Sequence, residues 1–366
     1  MIGLALSGGG SRAIAFHLGC LRALNDLGLL DKIEVISTIS GGSVIGAYYA
    51  YTPHKSFSEF ESDICHFLRR GFQWSIFKEL AKPTNFIWSG TNLLATATSE
   101  FLSRTHLYES KIQRYPTRTD MFYKVLQRDV FPNLKMSSLR RRNIDIVIGA
   151  CELRKGIAFR FGNTRSGDWR HGAMVDWDVE VAFAVAASAA YPILLPAFDR
   201  KWKFIKDNIT HINRVLITDG GVYDNLGLQV LEPGRNPNMS IHSFSCKYII
   251  ACNAGDGQEP GEKMHIWSLP RIKRSFEIVH RRAQDTSMSR LHNLKESGIL
   301  KGFILPYLGQ QDHQIPWKVS KLISRSQVLN YPTDFAGMSD EWIEKLSLRG
   351  EQLTREFAEH YLTDLL

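Results

Sequence analysis

Three short apolar runs, each followed by a glycine-rich segment, are the clearest features of the hydrophobic pattern. They lie at Ile2–Leu6, residues 33–37 and residues 214–218, and their length and branched side chains predict buried strands. Apolar positions at helical spacing predict a helix over residues 11–27. A second helix, with small residues in its first turns, is predicted over residues 42–50. Since catalytic groups of α/β proteins gather where strands end, the segments after the three runs are the candidates for chemistry.

Two later segments also have a helical pattern. Residues 181–198 are uncharged over a length that could span a membrane, but their alanine content and two prolines favour a buried helix with an irregular tail. Residues 340–366 predict a C-terminal helical extension, which we expect Gly350 to divide in two.

The first candidate segment is the triplet Gly8, Gly9 and Gly10, between a predicted strand and a predicted helix. Such a turn directs unpaired amide groups and a partial positive charge outward, which suits an oxyanion or a phosphate. A dinucleotide loop would read Gly-x-Gly-x-x-Gly, but Ala13 takes the third position. The triplet is therefore a candidate oxyanion hole, with a plain strand-to-helix turn as the alternative.

The second candidate is Ser40, which follows the second predicted strand and precedes Gly41 and Gly42. Small neighbours permit the strained turn of a nucleophile elbow, which exposes the serine hydroxyl. The usual elbow reads Gly-x-Ser-x-Gly, and here Thr38 replaces the first glycine. The alternative is that Ser40 only caps the following helix.

The third candidate is Asp219, which ends the third predicted strand before Gly220 and Gly221. A carboxylate here can take the proton of a serine, although an ordinary Asp-Gly turn is the alternative. Asp224 and Asn225 are expected to order the loop. A triad with histidine is disfavoured, because the later histidines have no distinctive loop context: His242, His265, His280, His292, His313 and His360.

Taken together, these motifs resemble the patatin-like phospholipases in content and in order. The Ala-Ser-x-x-x-Pro stretch at residues 187–192 adds to the resemblance, which covers roughly residues 1–230. The family implies a three-layer α/β/α sandwich and hydrolysis of lipid acyl esters by a Ser–Asp dyad without histidine. Carried over, Ser40 resembles the nucleophile, Asp219 the base, and the triplet the oxyanion hole.

Four residues are assigned supporting roles in this site: Arg12, Gly42, Gly220 and Gly221. Arg12 lies in the first turn of the predicted helix, where its planar fork could hold neighbouring carbonyls or an anionic headgroup. The departures from the family pattern are Thr38 and Ala13, and both are compact residues. They bear on the geometry of the turns and leave the assigned roles in place.

Length and cysteine content bound the organisation of the chain. With 366 residues and 44% hydrophobic content, we expect one domain over residues 1–366, with a helical insert and a C-terminal part that completes the sheet and helices. Five scattered cysteines without Cys-x-x-Cys spacing indicate neither zinc nor a disulfide framework. We expect no cofactor and no metal. We also expect no signal peptide, and therefore a cytoplasmic protein that is peripheral to a membrane at most.

Residues 70–96 interleave aromatic and basic side chains, which is typical of a segment that meets lipid headgroups. The aromatic residues are Phe72, Trp74, Phe77, Phe86 and Trp88, and the alternative is an insert packed on the core. The net charge of +8 suits anionic lipid, and nucleic acid is an unlikely partner because no nucleic-acid module is recognisable.

The sequence thus predicts a serine hydrolase of (phospho)lipid esters. Two alternatives stay open: a soluble esterase or thioesterase, and a catalytically silent binding protein of the same fold. The sequence also leaves open activation by a partner or a small-molecule signal.

Overall fold

A computed structural model describes the chain except for residues 54–55, 104–112, 142, 193, 258–260, 262–266 and 330. Within the described residues, ten strands form one sheet in the order β10-β9-β1-β2-β3-β4-β5-β6-β7-β8. The strands are β1 (Ile2–Leu6), β2 (Val35–Ile39), β3 (Asp145–Glu152), β4 (Ile157–Gly162), β5 (Ser166–Asp168), β6 (Gly172–Met174), β7 (Phe198–Lys206), β8 (Ile209–Asp219), β9 (Tyr248–Cys252) and β10 (Gly302–Ile304).

Helices cover both faces of the sheet. They are α1 (Gly10–Asp26), α2 (Gly41–Tyr51), α3 (Phe57–Arg70), α4 (Gln73–Leu80), α5 (Pro83–Ser103), α6 (Arg118–Asp129), α7 (Val181–Ser188), α8 (Gly221–Asp224), α9 (Ser268–Glu296), α10 (Arg325–Val328) and α11 (Asp340–Tyr361). The side of the sheet from β10 to β3 is parallel, and the side from β3 to β8 is antiparallel.

Alternate residues of each central strand enter different cores, as the period of two requires. On β1, Leu4 and Leu6 join the larger core with α1, α2, α7 and α11, whereas Ala5 joins the smaller core with Leu291 of α9. The result is the expected three-layer α/β/α sandwich, with a helical insert between β2 and β3 and a C-terminal helix.

The structure corrects two details of the predicted elements. The second strand runs over Val35–Ile39, two residues later than predicted, so Ser40 follows it directly. Gly350 does not divide the C-terminal helix, because α11 is continuous over Asp340–Tyr361. A β-carbon at Gly350 would overlap the carbonyl oxygen of Phe16 on α1, so this glycine permits the close crossing of two helices.

The uncharged segment after β6 begins with a buried helix, as the alanine content and the two prolines of the segment predict. All residues of α7 (Val181–Ser188) are buried, and the helix ends before Pro192. In the part of the chain that the structure describes, no helix combines the length and the hydropathy that crossing a bilayer requires.

Candidate functional site

Ser40 occupies a strained turn between β2 and α2. Its backbone φ of 51° and ψ of −117° lie in a region that residues other than glycine rarely adopt. Its side chain makes no capping hydrogen bond to α2, so the geometry favours an elbow over a simple helix cap. The serine is 6% exposed, and its hydroxyl does not accept a hydrogen bond from the amides of the first turn of α2, as a capping serine would.

Small residues make room for this turn. A β-carbon at Gly42 would overlap the carbonyl oxygen of Leu6, so only glycine permits this approach of α2 to β1. Thr38, which stands in place of the usual glycine, is fully buried, and its methyl group packs against Gly46. The bulk of Thr38 is thus accommodated one turn further along α2, and the elbow keeps its shape.

Strand pairing brings Asp219 to Ser40. Strand β2 runs parallel to β3 until Ile39 pairs with Gly149. Strand β8 runs antiparallel to β3 and ends where Asp219 pairs with Ala150. The two strands therefore meet head to head along one edge of β3, and their terminal residues are neighbours.

Asp219 is buried, and its environment raises its basicity. Burial raises the pKa of its carboxyl to about 7, against the opposing effects of the Gly221 amide and the Ser40 side chain, which favour the carboxylate. The Gly221 amide donates to Oδ1 at 2.6 Å. A carboxyl group with a pKa near neutrality that faces a serine hydroxyl is suited to accept a proton from it.

Ser188, the last residue of α7, connects both halves of this arrangement. Its hydroxyl accepts the Ser40 amide at 2.9 Å and donates to the Gly149 carbonyl at 2.6 Å. Its carbonyl accepts the Gly220 amide at 3.1 Å, and the next-but-one residue, Ala190, accepts the Asp219 amide at 3.1 Å. The sequence placed this stretch only by resemblance and gave Ser188 no role, because the pairing partners are far apart in the chain.

The glycine triplet lies where β1 leads into α1, opposite the elbow. The Gly8 amide donates to the Asn225 carbonyl at 3.1 Å, so it is occupied and shapes the loop. Within the described residues, the amides of Gly9 and Gly10 have no acceptor, and Gly9 precedes the first turn of α1. These two donors, together with the helix dipole, are the ones suited to a developing negative charge.

Arg12 is almost completely buried and spans three segments behind the triplet. Its Nε donates to the Ala254 carbonyl at 3.1 Å, and one terminal nitrogen contacts Asp256 at 2.9 Å and the Tyr331 carbonyl at 3.3 Å. Of the two contacts considered for its fork, neighbouring carbonyls match this geometry. The guanidinium thus fastens the first turn of α1 to the segments after β9 and before α11.

The remaining polar residues of the loop after β8 order it, as expected. Asp224 is partly buried, and its carboxylate accepts the Gln229 amide at 2.9 Å. Among the described histidines, His280 of α9 approaches this loop and contacts the Gly221 backbone, and burial lowers its pKa. His265 lies outside the described residues.

Comparison with solved structures places this site in a known fold. Human GIVD cytosolic phospholipase A2 superposes with a TM-score of 0.54 at 14% identity, over 100% of this chain and 59% of that chain. The same enzyme in complex with methyl gamma-linolenyl fluorophosphonate gives a TM-score of 0.51 at 16% identity, over 100% and 58%. The chain thus spans less than two thirds of the length of these structures.

A comparison with curated proteins found no match. The model of one protein family, described as patatin-like phospholipase, matches residues 4–231. This span contains the triplet, the elbow, Ser188 and Asp219, and it is more than half of the chain. The protein belongs to the patatin-like phospholipase family.

Proposed function

We propose that this protein is a lipid acyl hydrolase in which Ser40 and Asp219 form a catalytic dyad. Ser40 attacks the ester carbonyl, while Asp219 accepts the proton of its hydroxyl and later delivers it to the leaving alcohol. Water then attacks the acyl-enzyme, with Asp219 again as the base. The observation that carries the proposal is the head-to-head meeting of β2 and β8, which joins a strained serine to a buried carboxyl of pKa about 7.

The charge that develops on the carbonyl oxygen needs donors on the side opposite the base. In this proposal the amides of Gly9 and Gly10 supply them, while Gly8 positions the loop through Asn225. Gly42, Gly220 and Gly221 support the two turns, and Arg12 holds the start of α1. The reaction requires neither metal nor redox chemistry, because an ester is cleaved by acyl transfer alone.

Lipid is the proposed substrate class, and family membership supports it. A long acyl ester is presented at a membrane or micelle surface, so the enzyme must reach that surface. The insert after α3 offers suitable groups, since Trp74, Phe77 and Trp88 are 63%, 58% and 67% exposed. These aromatic side chains therefore do not pack in the core. Phe72 is an exception, because it is buried against Phe122 and Phe335, and the Phe86 side chain lies outside the described residues.

Basic residues accompany the exposed rings. A cleft of about 380 Å³ is lined by Arg70, Trp74, Ser75, Lys78, Glu79, Lys82 and Arg128. Glu79 pairs with Lys82 and Arg128, and Asp129 pairs with Arg70. With Lys78, four cations therefore face two carboxylates. The remaining positive charge suits an anionic headgroup.

Hydrogen bonds hold the insert to the rest of the protein at both of its ends. Just before α4, the Phe72 amide donates to the Phe335 carbonyl, whose neighbour Asp334 accepts the amide of Ser11 after the triplet. At the other end, the Arg114 amide donates to Asp199 at 3.1 Å, at the start of β7. We propose that these helices dock the protein peripherally on a lipid surface, with the dyad near the contact.

The test of the proposed activity is labelling by an alkyl fluorophosphonate, combined with analysis of products from phospholipid vesicles. We expect the purified protein to be labelled once and to release fatty acid, and Ser40→Ala to lose both while keeping its melting temperature. Labelling with turnover of only short soluble esters would favour the esterase or thioesterase alternative. A folded wild-type protein that is neither labelled nor active would favour the silent binding protein.

A further inference from the structure

Three potential metal ligands meet in the core behind the glycine triplet. His17 and Cys20 lie one turn apart on α1, and Cys252 ends β9. His17 and Cys20 are fully buried and Cys252 is 1% exposed, and one ligand atom from each lies within 4.8 Å of the other two. The sequence predicted no zinc site because no Cys-x-x-Cys spacing occurs. Strand β9 pairs with β1, which leads into α1, and both cysteines enter the core between β9 and α1 from distant parts of the chain.

The histidine is oriented as a ligand would be. Its Nε2 is 3.0 Å from the Ser7 carbonyl, and since a carbonyl only accepts, this nitrogen carries the proton. The other nitrogen, Nδ1, then presents a lone pair, and it is buried without a hydrogen-bond partner among the described residues. A backbone carbonyl behind the opposite ring nitrogen is the usual arrangement for a metal-bound histidine.

A second polar atom beside the cluster is also unsatisfied. The Thr354 hydroxyl of α11 is buried without a partner within the described chain, and it lies close enough to influence the Cys20 thiol. Unsatisfied polar atoms in a core are costly, and a metal ion between them would give both a partner.

We propose that His17 Nδ1, Cys20 Sγ and Cys252 Sγ bind a Zn²⁺ ion, with the Thr354 hydroxyl at the fourth position. Histidine and thiolate are the ligands that zinc prefers. Two thiolates and a neutral imidazole balance the charge of the ion, so the bound site is neutral, as full burial requires. In tetrahedral zinc sites the donor atoms lie about 3.5 to 4 Å apart. The ligand atoms of His17, Cys20 and Cys252 lie within 4.8 Å of one another, so binding would draw them together by roughly 1 Å.

The ion would act on the fold and take no part in the chemistry. The Ser7 amide donates to the Cys252 carbonyl at 3.1 Å, and the Ser7 hydroxyl accepts the Ala254 amide at 2.8 Å. The Ala254 carbonyl in turn accepts a hydrogen bond from Nε of Arg12. A metal between α1 and β9 would therefore fix the base of the triplet, and since the cluster is closed to solvent, it would bind as the chain folds.

The experiment measures metal content, which is independent of hydrolytic activity. The wild-type protein, purified without chelator, is analysed by inductively coupled plasma mass spectrometry, and again after denaturation and refolding with Co²⁺. We expect roughly one zinc per chain and, with Co²⁺, the near-ultraviolet absorption of thiolate-to-cobalt charge transfer. Cys20→Ser and Cys252→Ser should lose most of the metal. Cys246→Ala is the control, because Cys246 is a buried cysteine of the other core.

The proposal is overturned if wild-type protein contains no zinc and refolds in Co²⁺ without the absorption band. It is also overturned if both serine variants retain as much metal as the control. Should these variants fail to fold, the wild-type measurements decide alone. A loss of two hydrogens in the intact mass without reductant, absent from both Cys20→Ser and Cys252→Ser, would show a Cys20–Cys252 disulfide instead, which excludes the metal site.

Discussion

The hydroxyl of Ser188 accepts the backbone amide of Ser40 at 2.9 Å, and thereby holds the residue whose φ of 51° is the most strained feature of the site. The same hydroxyl donates to Gly149, the residue of β3 that pairs with Ile39. One buried oxygen thus joins the elbow to the strand that aligns it with Asp219. In the proposed reaction, Ser188 is a positioning residue that touches no substrate.

Ser188→Ala should slow turnover by about tenfold or more. The change leaves the buried Ser40 amide without an acceptor, which costs about 1 to 3 kcal/mol. This cost destabilises the strained conformation of the elbow. We expect kcat and the rate of fluorophosphonate labelling to fall, with KM little changed. Ser43→Ala is the matched control, because it removes the hydrogen bond between the Ser43 and Ser188 hydroxyls and keeps the one from the Ser40 amide. If the melting temperature alone falls, while labelling of the folded protein keeps its rate, Ser188 has no positioning role.

Asp219→Asn should abolish most hydrolysis, because an amide cannot accept the proton of Ser40. With the pKa of Asp219 raised to about 7, the wild-type rate should increase with pH through about 7 as the carboxyl ionises. The measurement is kcat/KM against pH on a soluble ester. His280→Ala is the control, since His280 is the described histidine that contacts the Gly221 backbone. Loss of activity in that variant equal to the loss in Asp219→Asn would replace the dyad with a triad.

The same carboxyl should make the protein less stable as the pH rises. Its pKa is about 7 when folded against 3.8 as a model value, so folding takes up a proton between these limits. The destabilisation is absent below about pH 4 and complete above about pH 7, where three pKa units correspond to about 4 kcal/mol. Asp219→Asn should therefore raise the melting temperature more at pH 8 than at pH 5. Asp207→Asn, which makes the same replacement on an exposed turn, is the matched control.

Arg12→Lys should lower kcat and thermal stability together. Lysine keeps the charge beside Asp256 but cannot donate at the same time to the carbonyls of Ala254 and Tyr331. Because the side chain is buried and holds protein groups, headgroup preference should stay as in the wild type. Kinetics on vesicles of different headgroups measure this. A selective change for one headgroup would show that Arg12 contacts substrate.

The local pattern of the chain predicts the segments that carry the candidate site, but it does not predict that these segments lie next to one another in the fold. The runs that end near Ser40 and Asp219 could be recognised, because a buried strand has a characteristic composition. That β8 meets β2 along β3 depends on long-range pairing, which no local signal encodes. For the same reason the local pattern does not predict that Cys20 lies near Cys252. The prediction that Gly350 divides the C-terminal helix is wrong, because helix propensity carries no information on the close crossing of α11 with Phe16 of α1.

The proposed docking surface can be tested by removing its exposed rings. Trp74 and Trp88 are 63% and 67% exposed; Trp74 lines the basic cleft with Lys78, and Trp88 lies on the next helix, α5. Burial of aromatic rings at the acyl boundary and attraction of cations to anionic lipid both favour binding. The double variant Trp74→Ala, Trp88→Ala should bind anionic vesicles less tightly and hydrolyse vesicle lipid more slowly. Hydrolysis of a soluble short-chain ester should be unchanged, because that substrate requires no docking.

The matched control is Ile209→Ala with Ile212→Ala, two residues of β8 that are each 67% exposed and lie in the hairpin with β7. Their replacement should leave vesicle binding as in the wild type. Vesicle flotation at low and high salt separates the two contributions, since screening weakens attraction to the cations but not insertion of the rings. Equal loss in both double variants would show a nonspecific effect of apolar surface. Unchanged binding in the tryptophan variant would place lipid contact elsewhere on the protein.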